Sequence, residues 1–190
     1  MVQVKMKRKT AKELLADSFR ELASKKNIDK ITVRDVVENC GYSTTTFYRH
    51  FKDKYDLIAW DYTHGLEKVL DKISREGKGW REACFECSKL FNDQRSYLKN
   101  LLLHTSGYDS FAHNMVNIHY EGLKNMILRT ADTARYDKHL EMCVRTYCHG
   151  VVDISCDWIM EHYDVTPEEL TQVFIDSLPN VLRRYLMTEE

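Results

Sequence analysis

The stretch from Thr32 to Phe51 constrains the fold of this chain more than any other segment. Thr32 is a good helix N-cap, and Asp35 stands three residues on, where an acid reaches back to free amides. Val33, Val36, Val37 and Cys40 then fall on one helical face. Gly41 marks a sharp turn, because glycine adopts positive φ without steric cost. Ser43 caps a second helical pattern, with Phe47 and Phe51 directed inward and Thr44, Thr45, Tyr48, Arg49 and His50 left to point out. Two short helices joined by a tight glycine turn make a helix-turn-helix, which lays its second helix in the DNA major groove. The segment predicts a DNA-binding head.

The run Gly41-Tyr-Ser-Thr-Thr-Thr-Phe-Tyr-Arg-His-Phe-Lys-Asp-Lys-Tyr-Asp-Leu57 resembles the signature of the tetracycline-repressor (TetR/AcrR) family of bacterial regulators. The matching positions are Gly41, Ser43, Thr46, Phe47, Tyr48, Phe51 and Lys54. Val37 and Thr45 depart from the pattern, since the family commonly has small residues there. Neither departure removes a DNA-facing polar group. The resemblance covers about the first third of the chain. It implies an all-α protein with a three-helix head and a helical bundle that binds a small-molecule effector and dimerises. It further implies that the last two long helices of two copies pair into the homodimer interface.

The formal charge of −1 looks unpromising for a DNA-binding protein until the chain is divided. Residues 1–54 carry 13 Lys and Arg against 7 Asp and Glu, a balance of +6, and the remainder carries 15 against 22. A basic head on an acidic body concentrates attraction for phosphate at one end. The expected domains are accordingly 1–54, for DNA binding, and 55–190, for effector binding and dimerisation. No apolar run reaches the ~20 residues of a membrane span. The basic N-terminus lacks the apolar core of a secretory signal, so a cytoplasmic protein is expected. The six cysteines lie in helical patterns, which favours reduced thiols over disulfides.

Seven glycines, two prolines and no clear alternating pattern predict helix nearly throughout. The first helix is expected over 10–26, and a longer connecting helix follows Asp53 and runs to about 74. The break at Gly77-Lys-Gly79 ends it. Further helices are expected at 80–92, 94–104, 111–133, 138–163 and 167–186, the last kinked or broken by Pro179. Two apolar strips stand out. Leu140, Val144, Tyr147, Cys148, Val151, Ile154, Trp158 and Ile159 form one, and Leu170, Val173, Phe174, Leu178, Val181, Leu182 and Tyr185 the other. Each is expected to serve both core and dimer interface, and the mid-helix Gly150 fits a close helix–helix approach.

For DNA, the N-terminal residues of a recognition helix reach base edges, which assigns Ser43, Thr44, Thr45 and Thr46 to that role. Tyr48, Arg49 and His50 are assigned to phosphate, which fixes register without reading sequence. Lys54 adds a cation at the next helix start, and Thr32 an amide or hydroxyl. Lys5, Lys7, Arg8 and Lys9 form a basic arm. For the effector, aromatic and polar residues of the body are the candidates: Trp60, Phe85, Phe91, Tyr97, His104, His119, Tyr120, Tyr147 and Trp158. No cofactor, metal or catalytic residue is expected.

Two rival chemistries use the same body. Cys84-x-x-Cys87, the set of His113 with Cys143, Cys148 and His149, or Cys156 with His162, could make a metal or thiol sensor. A lone Cys-x-x-Cys within a helix is a weak signal, because structural zinc sites pair two such clusters. A helical Cys–His enzyme is weaker still, for want of a nucleophile turn, phosphate loop or paired-carboxylate motif.

Overall fold

The computed structural model describes residues 9–77, 79–105, 110–130 and 136–187, with only the backbone of 71–75, 129 and 130. Lys5, Lys7, Arg8, Lys78 and the helix end expected near 133 lie outside the described residues. Among the described residues there is helix and no strand. No helix is long and apolar enough to cross a membrane. The chain divides into two compact units, Met1–Tyr62 and Thr63–Glu190.

The first unit begins with α1 (Ala11–Ala23), whose Thr10 and Glu13 form a reciprocal capping box. Leu15, Ala16, Phe19 and Ala23 are its buried face. A single 3₁₀ turn (Ile28–Lys30) follows and seats Ile28 and Ile31 in the core. Next come α2 (Val33–Cys40) and α3 (Thr44–His50), then the long α4 (Lys54–Arg75). The buried Ser18 donates to the Val36 carbonyl at 2.8 Å, and Asn39 donates to Ser18 at 3.1 Å, which locks α1 to α2. The unit ends after Tyr62 rather than after residue 54. Phe51 packs on Trp60 at 5.7 Å, and Arg20 donates to the buried Asp61 at 2.5 Å, so the first two turns of α4 belong to the head.

The second unit holds the remainder of α4 and six further helices. These are α5 (Trp80–Asp93), α6 (Arg95–His104), α7 (Phe111–Thr130), α8 (Lys138–Ile159), α9 (Pro167–Asp176) and α10 (Asn180–Leu186). Thr166 and Glu169 make a capping box at α9, with Pro167 in the first turn. Pro179 breaks the helix expected over 167–186 into α9 and α10, since proline cannot continue the amide ladder. α7 packs on α8 and α5 on α9. Tyr120, Leu123, Ile127, Leu140, Val144, Tyr147, Leu178 and Leu182 share one core. Most of the two apolar strips is thus interior to one copy, and only Val173 among them is exposed. The open face of α8 is a different one, carrying Met142, Thr146, His149, Gly150 and Asp153.

Candidate nucleic-acid interface and effector pocket

The turn between α2 and α3 follows from one backbone angle. Gly41 has φ of 74°, a left-handed conformation that costs a β-carbon residue free energy. The Tyr42 amide then closes the helix end on the Val37 carbonyl at 2.9 Å. Ser43 caps α3 by accepting from the Thr46 amide at 3.2 Å, and the two hydroxyls lie 3.1 Å apart. Phe47 and Phe51 are buried beneath this helix. What remains outward is Thr44, Thr45, Tyr48 and Arg49, with Tyr48 60% exposed and His50 half-buried. Among the described residues Arg49 has no ion-pair partner, so its charge is available to a phosphate.

The predicted DNA-facing residues therefore fall into two groups. Thr44, Thr45, Tyr48, Arg49 and His50 share one surface of α3. Ser43 and Thr46 direct their hydroxyls at each other and at the helix amides. Thr32 and Lys54 are corrections. The Thr32 amide and hydroxyl both donate to the Asp35 carboxylate, at 2.7 and 2.8 Å, so neither is free for phosphate. The Lys54 ammonium donates to three backbone carbonyls, of Ile28 at 2.8 Å, Asp29 at 3.1 Å and Ile31 at 3.0 Å. It clamps the 3₁₀ turn to the start of α4. Burial lowers its pKa, opposed by the charge of Asp29.

The Thr32–Asp35 cap carries a pH prediction. Hydrogen bonds from the Thr32 amide and hydroxyl, then from Lys26, lower the Asp35 carboxyl from 3.8 to about 2. A depressed acid stabilises the fold above its unfolded pKa and loses that contribution as pH falls through the folded one. Thermal melts should show α2 losing support as pH drops from near 3.8 towards about 2. Asp35→Ala should lower stability by about 1 kcal/mol at neutral pH and flatten this acid limb.

The second unit contains a cavity of about 380 Å³. Its walls come from α4 (Thr63, Leu66, Glu67, Leu70), α5, α7, α8 and Phe174 of α9. Of the residues expected there, Phe91, His119 and Tyr147 line it. The other six do not. Trp60 lies in the first unit beneath the Lys12 ammonium. Trp158 donates its indole N–H to the Val165 carbonyl at 2.8 Å and is stacked by Arg95. Tyr120 donates to Glu141 under the Arg145 guanidinium. Phe85 sits on another face of α5, and Tyr97 and His104 are on α6, which contributes no residue to the lining. Unforeseen lining residues include Trp80, Ser88, Ile118, Met126 and Val151. Only the helical register of α5, α7 and α8 could have pointed to them.

Burial sets the chemistry of this cavity. Desolvation lowers the His119 pKa to about 4, so its ring is neutral at ordinary pH. Burial pushes Cys84 up, and raises Cys87 to about 12, Cys148 to about 12 and Cys156 to about 11. Thiols held protonated are poor nucleophiles and poor metal ligands. Among the described residues no three His, Cys, Asp or Glu side chains converge as a metal site would require.

A glycine-turned pair of short helices, the second of them the exposed, hydroxyl-bearing α3, defines a helix-turn-helix unit beside a helical second unit. The sequence profile of the tetR family of bacterial regulatory proteins matches residues 15–59. The matched residues take in most of α1, the whole of α2 and α3, and the start of α4. It is 34% identical over 68 residues to an uncharacterized HTH-type transcriptional regulator of Haemophilus influenzae. That stretch is 36% of this chain and spans only 30% of the length of that curated relative. The fold is shared more widely. The dihydroxyacetone kinase operon activator DhaS superposes with a TM-score of 0.66 at 14% identity, over 92% of this chain and 97% of that one. FadR of Thermus thermophilus, a TetR-family repressor in complex with lauroyl-CoA, gives 0.55 at 15% identity, over 94% and 96%. A transcriptional regulator from Rhodococcus sp. Rha1 gives 0.55 at 16%, over 95% and 100%.

Proposed function

We propose that this chain is a homodimeric transcriptional regulator, acting as a repressor that a small molecule releases from its operator. The observation that carries the reading is α3, whose Thr44, Thr45, Tyr48 and Arg49 are exposed together on the helix that follows the glycine turn. Each copy supplies one such helix, and two copies read the half-sites of a near-palindrome. The cavity supports the effector half of the reading, because Thr63, Leu66, Glu67 and Leu70 of its wall lie on α4, the helix that begins in the head. A ligand that binds one arrangement of α4 better than another shifts the population between DNA-competent and released states. The structural likeness to FadR, a repressor in complex with lauroyl-CoA, agrees with this reading.

The test separates two kinds of contact. After selection of bound sequences from random DNA, anisotropy titrations are run against salt. Arg49→Ala should weaken binding to all sequences about tenfold and reduce the salt slope by about one phosphate. Thr45→Ala should leave that slope alone and change which sequences are preferred. If both variants bind like the wild type, α3 is not the reading helix.

A further inference from the structure

The second-unit cavity contains a buried hydroxyl with nothing to bond. Ser88, in the middle of α5, is 1% exposed and lines the cavity, and its Oγ has no hydrogen-bond partner. Other helical hydroxyls of this chain behave differently. Thr146, Ser155 and Thr171 each donate to the carbonyl four residues back, at 2.9, 2.7 and 2.7 Å. Ser88 does not take that local option, and an unsatisfied buried hydroxyl costs about 1–3 kcal/mol. The Trp80 indole stands two helical turns earlier on α5, about 12 Å away along the axis, and is directed at the Tyr147 phenol rather than at Ser88. The Tyr147 hydroxyl itself donates to the Phe174 carbonyl at 2.9 Å. The Ser88 hydroxyl thus waits for an acceptor, among walls that are otherwise mainly apolar.

Charge narrows the ligand further. Among the described lining residues there is no lysine or arginine, and the two ionised groups, Glu67 and Glu121, are both acidic and exposed. His119 brings no positive charge at ordinary pH. A carboxylate or phosphate entering this cavity would lose its water without meeting a cation, which costs several kcal/mol. A neutral carbonyl meets the idle Ser88 hydroxyl instead.

We infer that the cavity selects an uncharged, largely apolar ligand bearing a carbonyl acceptor, held by the Ser88 hydroxyl, and rejects the carboxylate of the same skeleton. This rests on the effector reading above and specifies its chemistry. Three near-isosteric probes test it by calorimetry on the full chain at neutral pH: methyl naphthyl ketone, naphthoate and naphthalene. The ketone should bind at least about tenfold tighter than naphthoate. Ser88→Ala should weaken the ketone about fivefold and leave naphthalene unchanged, since only the hydrogen bond is lost. Naphthoate binding as tightly as the ketone would overturn the inference, and so would failure of all three probes to bind. A ketone that binds selectively yet leaves DNA affinity unaltered upholds the pocket's selectivity and counts against the regulatory reading instead.

Discussion

Lys54→Met should lower the melting temperature of the head by about 10 °C and leave the salt dependence of DNA binding unchanged. The ammonium of Lys54 gathers the carbonyls of Ile28, Asp29 and Ile31, which span the 3₁₀ turn between α1 and α2 and the residue after it. Hydrogen bonds from a charged donor contribute about 1.5–3 kcal/mol each in favourable cases. Their sum is an overestimate here, because burial also penalises the ammonium and lowers its pKa. A net loss of about 2 kcal/mol follows, and for a unit of this size that corresponds to about 10 °C. Arginine should not rescue it, because a planar fork cannot converge on three carbonyls as a tetrahedral ammonium does. A phosphate-binding lysine would behave otherwise. Its removal would lower the slope of log affinity against log salt by about 0.9 with little change in melting. Calorimetric melting and a salt titration on the same variant distinguish the two roles.

The Lys54 clamp also shows what sequence reading misses. The turn between α2 and α3 is readable in the chain because each signal is local. Gly41 sits where φ becomes positive, Ser43 sits three residues from the amide it caps, and Phe47 and Phe51 repeat at a helical interval. Lys54 carries a local signal too, a cation at a helix start, and it points the wrong way. Its partners lie 23–26 residues earlier, in a turn that no periodicity announced. The cavity was harder. Aromatic residues attract attention as ligand contacts, yet Trp158 and Tyr120 satisfy their polar atoms within the core, and Trp60 packs in the head. The actual wall depends on which turns of α4, α5, α7 and α8 face a common space, and that is a property of packing angles between helices. Ser88 looks ordinary in the sequence and becomes informative only once its neighbours are known to leave it unbonded.

Gly150→Arg should convert a dimer into a monomer and reduce operator affinity by at least about a hundredfold. Glycine in a helix interior costs about 1 kcal/mol relative to alanine, so its place in the middle of α8 calls for a compensating contact. Within one copy there is none, because a β-carbon at Gly150 would meet no atom within 4 Å. It lies on the exposed face of α8 with Thr146, His149, Asp153 and Met142, the last 68% exposed. A second copy crossing there would approach the α8 backbone directly, which a long side chain prevents. The two consequences of the substitution have opposite signs, and that makes the test sharp. Arginine is a better helix former than glycine, so isolated unit-two helicity and melting at high dilution should rise slightly. At working concentration the assembly should fall apart, as read by analytical ultracentrifugation. Two half-sites are then engaged independently, and the gain from linking them, about 10²–10⁴ in affinity, is lost. Were the variant still dimeric and equally tight on DNA, the open face of α8 would not be where two copies meet.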